Sequence, residues 1–414
     1  MLLFQQLFIV WWLFVIEIHS SAYRRASFAL ALGSFLVFCN LYLFQPLLPV
    51  MTEAFSVSAT KVNWLLAAGT LALALTLVPW AVSSEMIGRR RVMLISLFLL
   101  PVVGVLMLLA ESLLILSLAR ALMGASLAGF AAVAVAYMAE EFSPKALSLA
   151  VGGYISANSL GGIAGRLFGG FASDAWGWQG AVLGMAIFSL IGALVVARLL
   201  PQQQHFTPQR GQLRHHTKHV IRHLQQPVLW IPMLIGGINF ALFVNLYSVM
   251  GFRLVSPPYS LPVSWASLIF LCYLSGTLTA KLSGSWSIRY KPVSGMILGT
   301  TISALGMWVA ALDSVSAMLS GLLLISSGAF FTHSLAYAWV SQKAKTGKAT
   351  ATALYLVHYY VGGSLGGFYL ITCWQHWSWY GVLVGGTVLY LALYALCWRL
   401  GRKQATEPVT SVAV

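Results

Sequence analysis

Charged residues are scarce in this chain, and acidic residues are the scarcest. Of 414 residues only 8% are charged, and Asp and Glu together number nine. A soluble domain is about 25% charged, so a chain this long could not cover its surface in water. The composition excludes a soluble enzyme and a disordered chain. It also argues against a nucleic-acid partner, because the basic residues behind the net charge of +15 form short clusters between apolar runs.

Cysteine is rare as well, and its spacing carries no metal or disulfide pattern. The four cysteines are Cys39, Cys272, Cys373 and Cys397. They lie in or beside apolar runs without paired spacing, so we expect no metal site and no cofactor. A histidine cluster in the polar stretch 198–227 could suggest metal binding, but a basic amphipathic segment on anionic lipid is the better interpretation. Its members are His215, His216, His219 and His223.

Apolar residues make up 59% of the chain, and they form long runs. A membrane-spanning helix needs about 20 of them, which predicts twelve spans. Six lie at 26–48, 62–83, 92–110, 113–138, 148–171 and 178–199, and six at 228–250, 263–282, 293–311, 316–340, 350–372 and 380–398. We predict an all-α membrane protein of two pseudo-symmetric six-helix bundles. The parts are an apolar extension 1–25, a bundle 26–199, a basic linker 200–227, a bundle 228–400 and a tail 401–414.

The distribution of Lys and Arg predicts the orientation. Nineteen of the 24 lie on one side of the predicted spans, and only Lys61 and Arg253 lie on the other. Basic residues accumulate in cytoplasmic loops, so we expect both termini and the linker in the cytoplasm. The first 18 residues are apolar but contain Gln5, Gln6 and Glu17 and lack a basic start. An interfacial helix or a start codon placed too early explains them better than a thirteenth span.

The two halves share short motifs in the same order. Ser159-Leu160-Gly161-Gly162 recurs as Ser364-Leu365-Gly366-Gly367, and Trp176-Gly177-Trp178 recurs as Trp377-Ser378-Trp379. Two ordered matches at an offset near 200 residues indicate an internal duplication.

The loop after the second span combines an acid, a turn glycine and a basic cluster. Its notable residues are Ala81, Glu85, Gly88, Arg89 and Arg90. Such a set could latch helices together on the cytoplasmic face and act as a gate loop. The alternative is an ordinary positive-inside loop.

Two arginines lie within predicted spans. Arg120, in the fourth span, costs about 2.5–3.5 kcal/mol to place in a membrane and therefore needs a partner or a water-filled cavity. Gly124, four residues later, shares its helix face and allows close packing. Arg166, in the fifth span, should lie at a similar depth. The alternative for Arg120 is a structural role, with bonds to backbone carbonyls.

The fifth span carries two adjoining stripes. Gly161, Gly165 and Gly169 form a small-residue face for helix packing. Asn158, Gly162 and Arg166 line the neighbouring stripe. None of the nine acidic residues falls in the middle of a predicted span, which argues against a cation exchanger that relies on a membrane carboxylate. Two arginines facing a cavity would instead make it positive.

Further polar residues could contribute to substrate binding or coupling. His333 and His358 can relay protons because histidine titrates near neutral pH, and Tyr355 shares the face of His358. Hydrogen bonding is also possible for Asn40, Gln45, Asn239 and Asn245. The plain alternative for each is bonding between helices.

These motifs resemble those of the major facilitator superfamily. Gly88, Arg89 and Arg90 match its loop signature, although Glu85 and Ala81 replace an aspartate and a glycine. Arg120 and Gly124 resemble the fourth-helix motif, whose arginine is linked to proton coupling in drug antiporters. Gly161 and Gly162 resemble the end of the antiporter motif, with Asn158 in place of proline.

Nearly the whole chain after the first 25 residues resembles the arabinose-efflux-like permeases of bacterial inner membranes. That resemblance implies a secondary transporter, not an enzyme, that exports a small molecule by alternating access, with the proton as a candidate coupling ion. Its partners would be the substrate and the lipid bilayer, and we expect a monomer. An uptake permease for a small anionic or polar nutrient stays open, and a channel or an intramembrane enzyme is the remoter alternative.

Overall fold

The computed structural model describes residues 15–206, 208, 221–344 and 346–405. Three predictions fall on residues outside these ranges: the character of residues 1–14, the linker histidines His215, His216 and His219, and the end of the tail.

Helices account for nearly all of the described residues in the first half. They are α1 (Ser21–Tyr42), α2 (Leu48–Ala54), α3 (Ala59–Val62), α4 (Trp64–Ile87), α5 (Arg89–Leu108), α6 (Leu113–Glu141) and α7 (Pro144–Leu199). Serine side chains cap four of them at the N-terminus by accepting a backbone N–H three residues on: Ser20, Ser58, Ser112 and Ser143. These caps satisfy N–H groups that the helix itself leaves unpaired, so the local sequence sets where the helices begin.

The second half repeats this plan. It contains α8 (Pro227–Val255), α9 (Val263–Ser267), a 3₁₀ turn (Leu268–Cys272), α10 (Tyr273–Arg289), α11 (Pro292–Val309), α12 (Val315–Lys343) and α13 (Lys348–Ala405). α7 breaks at Gly177, where φ is 71°, and α13 breaks at Trp377 and Ser378. Ten helical stretches in the described chain are long and apolar enough to cross a membrane. Breaking α7 and α13 once each gives the twelve predicted segments, which confirms the all-α membrane fold.

The first predicted span is shorter than expected. The sequence predicts a helix to residue 48, but α1 ends at Tyr42 and a turn follows. The turn is buried, with Phe44 and Leu47 fully inaccessible. Hydropathy could not locate this helix end because the turn is as apolar as the helix.

Glycines set the closest helix contacts in both halves. A Cβ at Gly161 or Gly165 of α7 would collide with the backbone of α1, and a Cβ at Gly169 would collide with the carbonyl of Leu43, the residue after α1. In the second half, Gly237 of α8 and Gly362 of α13 meet in the same way. Backbones approach this closely only where side chains are missing.

The chain forms two compact units. One consists of the chain up to Leu47 together with the chain from Leu75 into the linker. The other consists of residues 48–74 together with the helices after the linker. α4 therefore contributes residues to both units. The predicted boundaries at 26–199 and 228–400 describe the order of the duplicated halves along the chain and stay a prediction.

Candidate functional site

The end of α1 supplies the acceptors for the first unit's buried arginines. α1 stops at Tyr42, and the Gln45 and Leu47 amides donate to the carbonyls of Tyr42 and Phe44 at 3.1 Å each. The last carbonyls of a helix have no partner within it and carry partial negative charge. A helix that ends inside the fold therefore presents acceptors to a buried cation.

Arg120 occupies that position. It projects from α6, is completely buried, and donates to the carbonyls of Asn40 (3.0 Å) and Leu41 (2.7 Å). Its guanidinium carbon lies 5.0 Å from the centre of the Phe44 ring. These contacts match the structural alternative for Arg120, because neutral carbonyl oxygens hold the guanidinium without removing its charge.

Arg166 of α7 reaches the same turn. It donates to the Gln45 Oε1 and to the Gly162 carbonyl, both at 2.7 Å, and its guanidinium lies 3.7 Å from the centre of the Tyr42 ring. A Cβ at Gly162 would lie 3.2 Å from the guanidinium. The two arginines therefore meet the chain within a few residues of each other, at residues 40–45.

Two asparagines complete this set, which we call the arginine cluster: Asn40, Gln45, Arg120, Asn158 and Arg166. Asn40 donates to the Leu36 carbonyl at 2.9 Å and to the Ser189 hydroxyl at 2.8 Å, which ties α1 to α7. Asn158 lies two turns before Arg166 on α7, and its buried Oδ1 accepts no hydrogen bond from the described residues. Gly124 is buried on α6, one turn beyond Arg120.

The second unit contains a cluster of His333 and tyrosines. The Tyr355 hydroxyl lies 2.9 Å from His333 Nδ1, and the imidazole packs against Tyr359 with ring centres 4.5 Å apart. Tyr359 stacks on Phe240 of α8 at 3.9 Å. We call His333, Tyr337, Tyr355 and Tyr359 the His–Tyr cluster.

The other predicted residues of this unit lie elsewhere. His358 Nδ1 is 2.8 Å from the Leu354 carbonyl of its own helix, so the partner of Tyr355 is His333 and not His358. Asn239 donates to the Ala329 carbonyl at 3.0 Å, and Asn245 donates to the Ala241 and Gly363 carbonyls at 2.8 Å each. These amide groups tie α8 to α12 and α13.

The loop between α4 and α5 leads into an ion pair with the end of α6. Gly88 caps α5 with φ at 100°, in a region that favours glycine. Arg89 donates to Glu140 at the end of α6 through Nε at 3.0 Å, with Nη2 at 2.9 Å from the same oxygen. Glu85, the acid that the sequence analysis names in this loop, lies on α4 three residues before Gly88. Ala81 accepts from the Ser84 hydroxyl at 2.6 Å.

The start of the linker belongs to the same network. Arg90 donates to the Ala197 and Leu200 carbonyls at 2.9 and 3.0 Å, and its amide donates to the Gln203 side chain at 2.8 Å. Glu141, which is buried, accepts the backbone amides of Gln204 (2.9 Å) and His205 (3.0 Å). The loop thus ties together the ends of α4, α6 and α7.

Sequence reasoning missed the acidic pair Glu140–Glu141 as the anchor of this network. The signal was present, because the pair ends a span and stands among only nine acidic residues. It also did not select Tyr359 as a site residue, although Tyr359 lies four residues from Tyr355.

Hydroxyl pairs join residues 59–74 to α13 within the second unit. The Thr70 and Ser364 hydroxyls lie 2.7 Å apart, and those of Thr60 and Thr372 lie 3.1 Å apart. The Thr60 hydroxyl also lies 3.0 Å from the Gln375 Oε1, and Trp64 packs against Phe368.

Comparison with known proteins identifies the family. The sequence profile of the Major Facilitator Superfamily matches residues 30–367. The chain belongs to that superfamily. Among its relatives, the inner membrane transport protein YnfM of Escherichia coli (strain K12) is 32% identical over 90% of this chain and 89% of its own length. An uncharacterized MFS-type transporter of Bacillus subtilis (strain 168), YybF, is 31% identical over 92% of this chain and 93% of its own.

Solved structures of the superfamily share the fold. A bacterial homologue of the human lysosomal transporter Spinster, in an inward-facing and occupied conformation, superimposes with a TM-score of 0.70 at 17% identity, covering 91% of this chain and 96% of that one. The human organic anion transporter MFSD10 gives a TM-score of 0.67 at 17% identity, covering 91% and 99%. Members of this superfamily move small molecules, so the chain is a multi-pass membrane transporter by family.

Proposed function

We propose that this transporter moves an anionic or carboxylate-bearing small molecule by alternating access, and that it works as an exporter in a bacterial inner membrane. The observation that carries the substrate class is the arginine cluster. Arg120 and Arg166 are both buried, and their charge is held by bonds to neutral carbonyl and amide oxygens. The sequence places no acidic residue in the middle of a predicted span.

The cluster also offers an acceptor for the substrate. Asn158 Oδ1 is buried, and no described residue donates to it, although buried polar atoms are nearly always paired. It lies two turns from Arg166 on the same stripe of α7. A hydroxy acid would give the arginines a carboxylate and would give Asn158 Oδ1 a hydroxyl donor.

The experiment is a ligand-stabilisation screen of the purified transporter with organic anions, sugars, amino acids and cationic drugs. A bound ligand raises the melting temperature by mass action. We expect hits among the anions and a ten- to hundredfold affinity loss in Arg120→Ala, because a charge-assisted hydrogen bond contributes about 1.5–3 kcal/mol. Arg120→Lys should recover little of the lost affinity, because lysine lacks the planar guanidinium that donates two parallel hydrogen bonds.

Arg253→Ala is the matched control. Arg253 is also a buried arginine that donates to helix-end carbonyls, those of Ala310 (2.7 Å) and Ala311 (3.1 Å), but it lies outside the arginine cluster. The Arg253→Ala variant should be less stable than the wild type but should keep the same ligand preference. Wild-type affinity for the anion in an Arg120→Ala, Arg166→Ala double variant would refute the substrate class.

Alternating access is supported by the hydroxyl pairs of residues 59–74. Thr70 lies on α4, a helix that contributes to both compact units. The Thr70 hydroxyl makes one hydrogen bond to the Ser364 hydroxyl, at 2.7 Å. We expect this bond to open during the cycle. Oxidation of a Thr70→Cys, Ser364→Cys variant should then stop substrate flux into proteoliposomes, and reduction should restore it. Undiminished flux after complete cross-linking would contradict the assignment.

Proton coupling is supported by the His–Tyr cluster. The Tyr355 hydroxyl and His333 Nδ1, 2.9 Å apart, form a pair through which a proton can pass. In proteoliposomes His333→Gln should keep substrate binding and lose the dependence of flux on a pH gradient.

Saturable, gradient-driven flux would separate a transporter from a channel, and net accumulation of substrate in inverted vesicles would separate export from uptake. Light scattering would test the proposed monomer.

The proposed orientation places both termini and the linker in the cytoplasm, as the Lys and Arg distribution predicts. A cysteine introduced at Gln209, in the linker, should resist an impermeant thiol reagent added to intact cells. Strong labelling there would reverse the topology.

A further inference from the structure

A cleft on the second unit lies apart from both clusters. It lies between α10, α11 and α12 and encloses about 350 Å³. α10 and α11 each pack along α12 but make few contacts with each other, which leaves the cleft open between them. The size falls within the range of about 300–1,000 Å³ that is usual for small-molecule sites.

One wall of the cleft is a single stripe of α10. Thr279, Leu282, Trp286 and Arg289 line it at spacings of three and four residues, so they share one helix face. From Thr279 to Arg289 the stripe is about 15 Å long at 1.5 Å per residue. Leu282 is 59% exposed and the neighbouring Leu278 is 65% exposed, so the cleft opens on the surface that faces lipid in a membrane protein.

The floor of the cleft is fixed by packing. The Thr279 hydroxyl donates to the Ser327 carbonyl of α12 at 2.8 Å, and Trp286 packs edge-on against Phe331 of α12 with ring centres 5.7 Å apart. On the other side Trp286 lies 4.6 Å from Tyr290, ring centre to ring centre. These contacts fix the positions of Thr279 and Trp286 in the cleft.

The mouth of the cleft is cationic. Arg289 lines it and is exposed, and no described residue gives this guanidinium a hydrogen bond or an ion pair. Lys291 follows two residues later and is also exposed. In the second half the sequence contains only two carboxylates: Asp313, which pairs with Arg253 at the far end of α11, and Glu407 in the tail.

We propose that this cleft binds an anionic phospholipid, with its phosphate on Arg289 and an acyl chain along the α10 stripe. The cationic mouth complements the phosphate, and the lining of Leu282, Trp286 and Phe331 complements a hydrocarbon chain. Trp286 and Tyr290 are of the residue types that favour the membrane–water interface. Basic pockets between membrane helices on the cytoplasmic side bind anionic headgroups, and the predicted topology places Arg289 on that side. A soluble anion would leave the 15 Å apolar stripe unoccupied.

The test is native mass spectrometry of the full-length protein titrated with dioleoyl phosphatidylglycerol or dioleoyl phosphatidylcholine. We expect one phosphatidylglycerol to bind at least about tenfold more tightly than phosphatidylcholine, and Arg289→Gln to remove that preference. Ser285→Trp should do the same by filling the cleft, since Ser285 is an exposed lining residue.

Arg399→Gln is the matched control. Arg399 is an exposed arginine on α13 with the same predicted cytoplasmic location, but it does not line the cleft. It should keep the preferred lipid. Equal affinity for the two lipids in the wild type, or an unchanged preference in both Arg289→Gln and Ser285→Trp, would overturn the proposal. So would full displacement of the lipid by millimolar inorganic phosphate, which would indicate a soluble-anion site. Lipid binding needs no substrate, so this test is independent of the transport proposal.

Discussion

The loop between α4 and α5 and the loop between α10 and α11 occupy equivalent places in the duplicated chain, yet they use their arginines differently. Arg89 and Arg289 are separated by 200 positions, close to the offset of the repeated motifs. Arg89 is held by Glu140 at 2.9 Å. Arg289 is exposed and has no hydrogen bond or ion pair within the described chain.

The difference originates in the helix that each loop faces. α6 ends in Glu140 and Glu141, whereas the same offset on α12 gives Val340 and Ser341. A basic loop with an acidic partner becomes a tie between helix ends. A basic loop without one keeps its charge available to an anion from outside the protein, and we infer that this anion is a lipid phosphate.

The largest contrast between the loops should come from their glycines. Gly88→Ala forces a side chain into φ at 100°, which costs about 1–3 kcal/mol. Gly284 is helical in α10, and a Cβ there would meet nothing within 4 Å. Gly284→Ala should therefore stabilise the protein by up to about 1 kcal/mol. Melting temperatures in detergent should move in opposite directions, and a shared direction would show that Gly88 is not strained.

The arginines themselves should show the next largest contrast. Glu140→Ala removes a charge-assisted pair and leaves Arg89 partly buried, so we expect a loss of about 1.5–3 kcal/mol, at the low end because both groups retain some solvent. Arg289→Ala in lipid-free detergent should stay within about 0.5 kcal/mol of wild type. A large loss there would mean that Arg289 already has a protein partner. Arg89→Ala should match Glu140→Ala.

Sequence patterns predicted the helices better than the contacts. Long apolar runs and their polar ends located the spans, because burying the backbone in lipid requires helices. The breaks at Gly177 and Trp377 fell in predicted gaps between spans. The end of α1 at Tyr42 fell inside a predicted span, because a buried turn is as apolar as a helix.

In the candidate sites, too, features within one helix were predicted better than contacts between helices. The predicted small-residue face of α7 depends on spacing within one helix, and the structure places its glycines against α1. The partners of Arg89 and Tyr355 depend on which other helix arrives beside them. Along the chain Glu85 lies close to Arg89 and His358 lies close to Tyr355, whereas the described partners include Glu140 and His333 on other helices.

A smaller effect is expected at Arg90, which holds the exit of α7. Arg90→Lys keeps the charge but replaces two donor nitrogens, Nε to the Leu200 carbonyl and Nη2 to the Ala197 carbonyl, with the single Nζ. We expect a loss of about 1 kcal/mol and faster hydrogen exchange at residues 197–205. Arg91→Lys is the control, because Arg91 is exposed. Unchanged exchange in Arg90→Lys would show that these bonds do not hold the linker.

The smallest effect should come from His205, the last residue in the network. Its Nδ1 lies 3.3 Å from Glu141, but Glu141 also accepts the backbone amides of residues 204 and 205. Because those amides remain in His205→Gln, we expect a loss of only about 0.5–1 kcal/mol. Lys145→Gln, at the start of α7, is the control and should be nearly neutral because Lys145 is exposed. A double-mutant cycle with Glu141→Gln isolates the side-chain pair. A coupling energy near zero would mean that the backbone amides alone fix the linker, and the network would then end at Glu141.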